Sequence, residues 1–292
     1  MKRVRARCPA KLNLFLEVLG RRPDGYHDLS TVMVPIDLFD TIEVVESKRF
    51  SLEVDGPPLP GTNTVEKAFR AVAKRRKIPG VRARLVKGIP AGSGMGGGSS
   101  DAAAMIEALD ELFDLDLDRH EVAAEIGSDV NFFLERGPAL CTGRGERIAP
   151  LASRTRIHAV VVWLRFSLST ADVYRNVRRF LTRRPRDVMN FLNRFDEGKT
   201  DALGRALFNR LESAAFDLHP DLGRCRRELA RRPFAGTRMT GSGSALYGLC
   251  ASRAEAEGLA KNIREESATS FVKAVSGIEG MGSWRSRKSA SS

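Results

Sequence analysis

Cysteine, histidine and aromatic side chains are all scarce in this chain of 292 residues, and no long apolar run occurs. The four cysteines (Cys8, Cys141, Cys225, Cys250) are scattered without a Cys-x-x-Cys pair, which excludes a disulfide framework or a zinc ribbon; buried, reduced thiols are expected. The four histidines (His27, His120, His158, His219) likewise lack metal-ligand spacing. The longest apolar stretch, Ala159–Leu164, falls far short of the ~20 residues that span a bilayer. Lys2, Arg3, Arg5 and Arg7 precede Leu12-Asn13-Leu14-Phe15-Leu16 in the manner of a secretory leader. Asn13 and Glu17 interrupt that run, however, and no small-residue cleavage site follows. A cytoplasmic protein with a strand at its start is expected.

Acidic charge falls short of basic only in the second half. Residues 1–150 hold 22 basic and 22 acidic side chains, so the net charge of +12 lies entirely in residues 151–292. Pairs such as Arg178-Arg179, Arg183-Arg184, Arg226-Arg227 and Arg231-Arg232 carry it. Such an excess suits nucleic acid or a phosphorylated small molecule, or is simply a solvated arginine-rich surface. Aromatic residues, 7% of the chain, do not interleave with these pairs, so a stacking platform for single strands is lacking.

The pattern along the chain predicts an α+β protein of two domains, residues 1–153 and 154–275, parted near Pro150 to Arg156, with a disordered polar tail over 276–292. Residues 4–19 alternate as a strand, and Ile42–Val45 and Phe50–Val54 continue the β pattern up to Gly56-Pro57-Pro58. Asn63 caps a helix running through Lys77 with Val65, Ala68, Phe69 and Val72 on one face. Val81, Ala83 and Leu85 form a strand, then a glycine-rich loop over 88–99 leads to a helix from about Ser100 to Phe113. Asp101 is expected in the first turn of that helix, facing its dipole. In the second half the strands are His158–Leu164, Thr237–Thr240, Ala245–Cys250 and Phe271–Val275. A helix covers Thr170–Thr182, short helices run to Arg231, and another covers Ala254–Ser267. The order β, helices, β, β, α, β fits a ferredoxin-like split βαβ layer with inserted helices.

The segment Pro90-Ala91-Gly92-Ser93-Gly94-Met95-Gly96-Gly97-Gly98-Ser99-Ser100-Asp101 is the most informative. Its glycines let the backbone approach a ligand, and its N–H groups run into a helix N-terminus, where donors and dipole together favour an anion. A polyphosphate cradle is expected, with the hydroxyls of Ser99 and Ser100 beside it. It lacks the lysine of a Walker A loop. Gly92-x-Gly94-x-x-Gly97 matches a dinucleotide fingerprint, but the acids Asp110, Glu111 and Asp114 fall within or just after the same helix rather than on the next strand. The His-Arg-Asp and Asp-Phe-Gly motifs of protein kinases are absent.

Pro90 to Ser100 resembles the central motif of the GHMP kinases, a superfamily of small-molecule kinases acting on galactose, homoserine, mevalonate and phosphomevalonate. Pro9-Ala10-Lys11-Leu12-Asn13-Leu14 and Thr240-Gly241-Ser242-Gly243-Ser244-Ala245 resemble its outer motifs, in the right order. Arg22-Pro23-Asp24-Gly25-Tyr26-His27, Gly127-Ser128-Asp129-Val130-Asn131-Phe132-Phe133 and Gly143-Arg144-Gly145-Glu146 narrow the resemblance to members whose acceptor alcohol carries a cytidylyl group. The resemblance implies a ribosomal protein S5 domain 2-like N-terminal domain before the ferredoxin-like one. It also implies ATP as co-substrate with Mg2+, and phosphorylation of a 2-hydroxyl on the non-mevalonate route to isopentenyl diphosphate.

The resemblance further implies a role for each site residue. Asp129, an acid entering an apolar stretch, would take the proton from the acceptor hydroxyl. Lys11, a cation in an apolar strand, would sit beside it and stabilise developing negative charge. His27 and Tyr26 would hold the cytosine, with Asn13 nearby and Phe208 as a guess at a second aromatic wall. Residues 90–100 would hold ATP, and Gly241, Ser242 and Gly243 would bring backbone N–H groups toward phosphate. No motif fixes the metal ligands. Two departures stand out: Ser93 and Met95 replace the glycine and leucine common in the loop, and Asn131 replaces a proline after Asp129-Val130. The rival readings are another superfamily kinase, such as one for homoserine or mevalonate, an RNA-binding protein on an enzyme-like scaffold and, third, an NAD-binding protein.

Overall fold

The structure, a computed structural model, describes residues 2–56, 61–152, 155–182, 184–267 and 270–278. Two long strands, β1 (Arg3–Arg21) and β2 (His27–Ser47), form an antiparallel ribbon joined through the Asp24-Gly25 turn. β3 (Ser51–Asp55), α1 (Thr64–Arg75) and β4 (Gly80–Val86) follow. Next come α2 (Gly97–Phe113), α3 (Arg119–Ile126), α4 (Val130–Glu135), β5 (Ala139–Gly143) and β6 (Arg147–Pro150). β4 pairs with the second half of β2 and β5 with its first half, so one strand edge serves two partners. The second half contributes β7 (His158–Trp163), α5 (Thr170–Asn176) with a 3-10 turn (Val177–Phe180), α6 (Val188–Asp196) and α7 (Thr200–Ala206). It continues with β8 (Phe208–Asn209), α8 (Leu211–Leu218), α9 (Pro220–Leu229), β9 (Gly236–Met239), β10 (Leu246–Cys250), α10 (Arg253–Glu266) and β11 (Phe271–Ser276).

Four of these strands form a sheet in the order β11-β7-β10-β9, antiparallel throughout, which is the spatial order of a ferredoxin-like layer. Alternation along its strands sorts their side chains between two cores. Ala159, Val161, Tyr247 and Leu249 face β1 and β2, where they meet Leu12, Leu14, Val34 and Ile36. Val160, Val162, Leu246 and Cys250 face the other way, onto α5, α8 and α10. A third core lies between the first sheet and helices α1 to α4. The shared core fixes the two sheets to each other, and β8 pairs in parallel with β1 through Phe15–Phe208 and Leu16–Asn209. The glycine-rich loop and the Thr240–Ala245 turn are thereby held face to face.

Several expectations need correction. Helix α2 starts at Gly97, inside the glycine run, so Asp101 lies beyond its first turn and is buried instead, where its carboxylate takes a hydrogen bond from Lys87 Nζ at 2.7 Å. β2 begins at His27 rather than Ile42. It is buried on both faces from Ser30 to Ile36, which erases the alternation that marks a half-exposed strand. The helix expected over 170–182 ends its α-helical part at Asn176. Asn63 does cap α1, its side chain accepting from Val65 N–H at 2.9 Å. The ordered chain also passes the expected start of the tail: Ser276 closes β11, and Ile278 N–H bonds to Pro35 O at 2.8 Å. Residues 279–292, Arg183 and Pro57-Pro58 lie outside the described residues. The cysteines are free thiols, three of them buried, and among the described residues no group of three or more His, Cys, Asp and Glu could hold a metal. Among the described residues no helix is long and apolar enough to cross a membrane.

Candidate active site

A cleft of about 1140 Å³ opens between the two halves of the chain, walled by the glycine loop, the middle of β1, the Tyr26-His27 turn, Asp129, α5 and the Gly241-Ser242 turn. The loop begins after β4 and climbs into α2. Gly92, Gly94 and Gly96 all take positive φ, at 65°, 79° and 76°. At Gly94 the space is as restrictive as the φ: a Cβ would lie 2.4 Å from Thr240 O and 2.8 Å from Gly243 O, so the second half of the chain packs directly on the loop. At Gly96 a Cβ would lie 2.9 Å from the Phe133 ring and 3.2 Å from Lys11 Cγ. Pro90 to Ser99 all line the cavity, though Ser93 turns its hydroxyl back onto Pro90 O at 2.6 Å.

Two of the expected residues do not form the wall. Ser100 is buried behind it at the start of α2, and its Oγ has no hydrogen-bond partner. Gly243 is turned into the protein, its N–H bonded to Thr240 O at 3.0 Å and its open side filled by Met239 and Leu168. Gly241 and Ser242 do reach the cavity, with Ser242 Oγ 2.8 Å from Thr170 Oγ1.

Lys11 and Asp129, far apart in the chain, converge here. Lys11 lies in β1, tied to the loop by its own N–H donating to Met95 O at 2.9 Å, and its side chain is 3% exposed. Its Nζ stands 3.6 Å from Asp129 Oδ2. Burial pulls the ammonium pKa below the ordinary lysine value, while Asp129 pulls it back up. Asp129 is the residue before α4, and its carboxylate makes no capping bond to that helix, leaving it facing the cavity at 35% exposure. Asn131, the departure from proline, is buried in α4, where Oδ1 lies 3.2 Å from His120 Nδ1.

At the other end of the cleft, His27 starts β2 and is nearly buried, its Nε2 without a partner. Burial and then the nearby Arg178 and Arg21 lower its pKa, so the ring is neutral at neutral pH. Tyr26 is 54% exposed, with the Arg144 guanidinium 4.9 Å from its ring centroid. The second ring is not Phe208. That side chain packs on Phe15, with Arg186 and Arg210 over it, away from the cavity. Tyr174 of α5 is the ring that lines the cavity beside His27, the two ring centroids 5.3 Å apart, and burial raises its phenol pKa. Arg144, Arg175 and Arg178 also line this end, although neither the Gly143-Arg144-Gly145-Glu146 motif nor the Arg178-Arg179 pair by itself marks them as site residues. Tyrosine scarcity was the available signal, since of three tyrosines Tyr26 sits in a motif and Tyr247 in a strand. At the loop end, Thr62, Asn63, Thr64 and Lys87 line the cavity as well.

Asn13 lines the cavity but commits its amide to the protein: Oδ1 accepts from Lys11 Nζ, and Nδ2 donates to Thr31 Oγ1 at 2.9 Å. It supports the lysine more directly than any bound base.

Comparison with known proteins identifies the family. The chain matches the family model of the GHMP kinases N terminal domain over residues 63–137 and that of the GHMP kinases C terminal over residues 192–268. It is 36% identical over 255 residues to the 4-diphosphocytidyl-2-C-methyl-D-erythritol kinase of Bacillus velezensis, covering 85% of this chain and 88% of the relative. It is 39% identical over 262 residues to the protein of that name from Rhodococcus jostii, covering 84% and 83%. A crystal structure of 4-(cytidine 5'-diphospho)-2C-methyl-D-erythritol kinase superposes with a TM-score of 0.81 at 34% identity, covering 94% of this chain and 100% of the other. Homoserine kinase from Cytophaga hutchinsonii, at 17% identity and a TM-score of 0.72 over 96% of both chains, shares the fold. The chain is therefore a GHMP kinase, and within that superfamily it belongs to the 4-diphosphocytidyl-2-C-methyl-D-erythritol kinases.

Proposed function

We propose that this chain transfers the γ-phosphoryl group of ATP to the 2-hydroxyl of 4-diphosphocytidyl-2-C-methyl-D-erythritol, releasing ADP and the 2-phosphate. The observation that carries this reading is one cavity containing a backbone-amide loop, the Lys11–Asp129 pair and a neutral histidine flanked by two tyrosines. Phosphoryl transfer asks a protein chiefly for positioning and for neutralised charge. The loop amides and the N-terminus of α2 receive the triphosphate. Asp129 takes the acceptor's hydroxyl proton as the new oxygen–phosphorus bond forms and the bond to the β-phosphate oxygen breaks. Lys11, whose pKa burial lowers while Asp129 opposes that shift, stands 3.6 Å from that carboxylate and meets the charge that gathers on the acceptor oxygen. His27 is neutral and offers its unpartnered Nε2 to the edge of cytosine. Tyr26 and Tyr174 present ring faces to the base. Arg144, Arg175 and Arg178 give the diphosphate end of the substrate a cationic surround.

Mg2+ fits this site as an ion carried mainly on phosphate oxygens. The described residues offer no acidic cluster for it, but Ser100 Oγ is buried and unpartnered beside the loop, and Ser99 lines the cavity. Of the two, only the Ser99 hydroxyl stands on the cavity wall and would hold the ion or its waters, and the ion would supply neutralisation of the phosphates.

Purified protein with ATP, Mg2+ and the cytidylyl substrate is expected to release ADP. Homoserine and mevalonate in its place are expected to give none. Turnover only with one of those acceptors, or with none of the three, rejects the reading.

A further inference from the structure

The seam between the two halves contains a threonine that the reaction itself does not need. Thr240 is fully buried, contributes nothing to the cavity wall and yet bonds twice to Asn13, the residue that holds Lys11. We propose that Thr240 is a positioning residue for Lys11, acting through the side-chain amide of Asn13 and so making the lysine's aim depend on the docking of the second half of the chain on the first. This inference rests on the reading of Lys11 given above.

The hydrogen bonds around Asn13 leave one arrangement of protons. Thr31 Oγ1 donates to Phe15 O at 2.7 Å, so toward Asn13 it must accept, and the group facing it is Asn13 Nδ2 at 2.9 Å. The amide oxygen therefore points the other way, toward Lys11 Nζ. Thr240 Oγ1 accepts from Asn13 N–H at 3.1 Å and donates its own proton to Asn13 Oδ1 at 3.2 Å. The amide is thus gripped at one end by β2 and at the other by the turn after β9. An oxygen held in this way favours the ammonium form of Lys11 and fixes where it stands beside Asp129.

Thr240 is itself held stiffly. Its N–H donates to Ala245 O at 3.0 Å, and its carbonyl accepts from Gly243 N–H at 3.0 Å. Asn209 Nδ2 bridges the carbonyls on either side of it, Met239 O and Gly241 O, both at 2.8 Å. Two further bonds cross the same seam, Tyr247 OH to Asn13 O at 3.0 Å and Ala245 N–H to Ser93 O at 2.9 Å. A buried network with every member satisfied holds its groups in one geometry, and small displacements from a reactive geometry are expensive in rate.

The test is Thr240→Val, which replaces the hydroxyl by a methyl of similar size, with Thr240→Ser restoring the hydroxyl. The valine variant is expected to lose roughly 10- to 100-fold in kcat with little change in KM for ATP or the cytidylyl substrate. The alkaline limb of its pH–rate profile is expected to move to lower pH, because weakening an acceptor of the ammonium lowers the pKa of Lys11. The serine variant is expected to return to within about threefold of the parent on both measures. Single-turnover ADP formation by Lys11→Met and by Lys11→Met/Thr240→Val is expected to be equally slow, since a residue acting through Lys11 adds nothing once Lys11 is gone. Normal kcat in a folded Thr240→Val protein, with Lys11→Met inactive, overturns this inference alone; so does a full additional loss in the double variant. Normal turnover in Lys11→Met overturns the reading of Lys11 and this inference with it. Thermal unfolding establishes folding of each variant. Should Thr240→Val not fold, Thr31→Val decides: it frees the other end of the amide, so a lowered kcat with the same downward shift is expected, and a parent-like profile overturns the proposal.

Discussion

The two ends of the cleft are built on opposite plans. The loop end is dominated by one contiguous segment, Pro90 to Ser99, rich in glycine, with Thr62, Asn63, Thr64 and Lys87 beside it. The other end, proposed to take the base, is assembled from side chains of separate elements: Tyr26 and His27 before and at the start of β2, Arg144 between β5 and β6, and Tyr174, Arg175 and Arg178 from α5 and the turn after it. Main-chain amides suit a ligand common to many enzymes, since any sequence supplies them once the backbone is free to bend. A particular base needs particular side-chain edges and faces, and these come from wherever the fold can place them. Generality is therefore concentrated in the loop and specificity in the scattered end.

The largest effect is expected where the two ends meet. Asp129→Asn should cost about 10²–10⁴-fold in kcat and leave the KM for both substrates nearly unchanged, because the amide keeps the shape and loses the base. Steady-state kinetics with each substrate varied checks this, and near-parent turnover would reassign the base. Next is Gly94→Ala. Its positive φ is strained for alanine by about 1–3 kcal/mol, and the new methyl would press on Thr240 O. A lowered melting temperature together with weaker ATP binding is expected, measured by thermal unfolding with and without nucleotide; an unchanged response to ATP would mean that the loop does not cradle it.

The smallest effect in this series sharpens the contrast at the base end. Tyr174→Ala should raise the KM for the cytidylyl substrate about 5- to 100-fold, as loss of one stacking face worth ~1–3 kcal/mol, with ATP unaffected. Phe208→Ala should lower the melting temperature and leave both KM values alone, since its ring packs on Phe15 outside the cavity. A reversed pattern in these two variants would return the second aromatic wall to Phe208.

Part of the basic excess also resolves into pairing that only the folded chain displays. Arg179 bonds Asp217 at 3.1 Å, Arg226 lies 3.9 Å from Glu212, and Arg232 pairs with Glu266. Arg178, the partner of Arg179 in sequence, faces the cavity instead. A doublet that reads as one feature in the chain is two features in space, because neighbours on a helical turn point in different directions.

Legibility followed the range of the interaction. The cap at Asn63 and the loop are open to reading because each depends on residues close in sequence, whereas the strand order of the second sheet, which joins β7 to strands far along the chain, is reached only through the order of elements. The early part of β2 was hidden because its burial on both faces removes the period of two. Asp101 departs from the expected first turn because the helix begins within the glycines, where local propensity argues against helix and packing on the first sheet argues for it. Burial, with Asp40 as a second carboxylate beside it, pushes the Asp101 carboxyl up to about 7 against the pull of Lys87, an environment no helix-dipole argument anticipates.

By itself the sequence determined the chemistry available to this protein: a stretch of backbone stripped of side chains, a lysine and an aspartate in apolar surroundings, and the motif order that marks a GHMP kinase. Tertiary structure alone decided which of those groups meet. The approach of Lys11 to Asp129, the bonds of Thr240 to Asn13 and the contact of Tyr174 with His27 join residues from different elements, and such contacts exist only once the chain has folded. Local propensity acts within a few residues, whereas a site is closed by burial that sums over the whole chain.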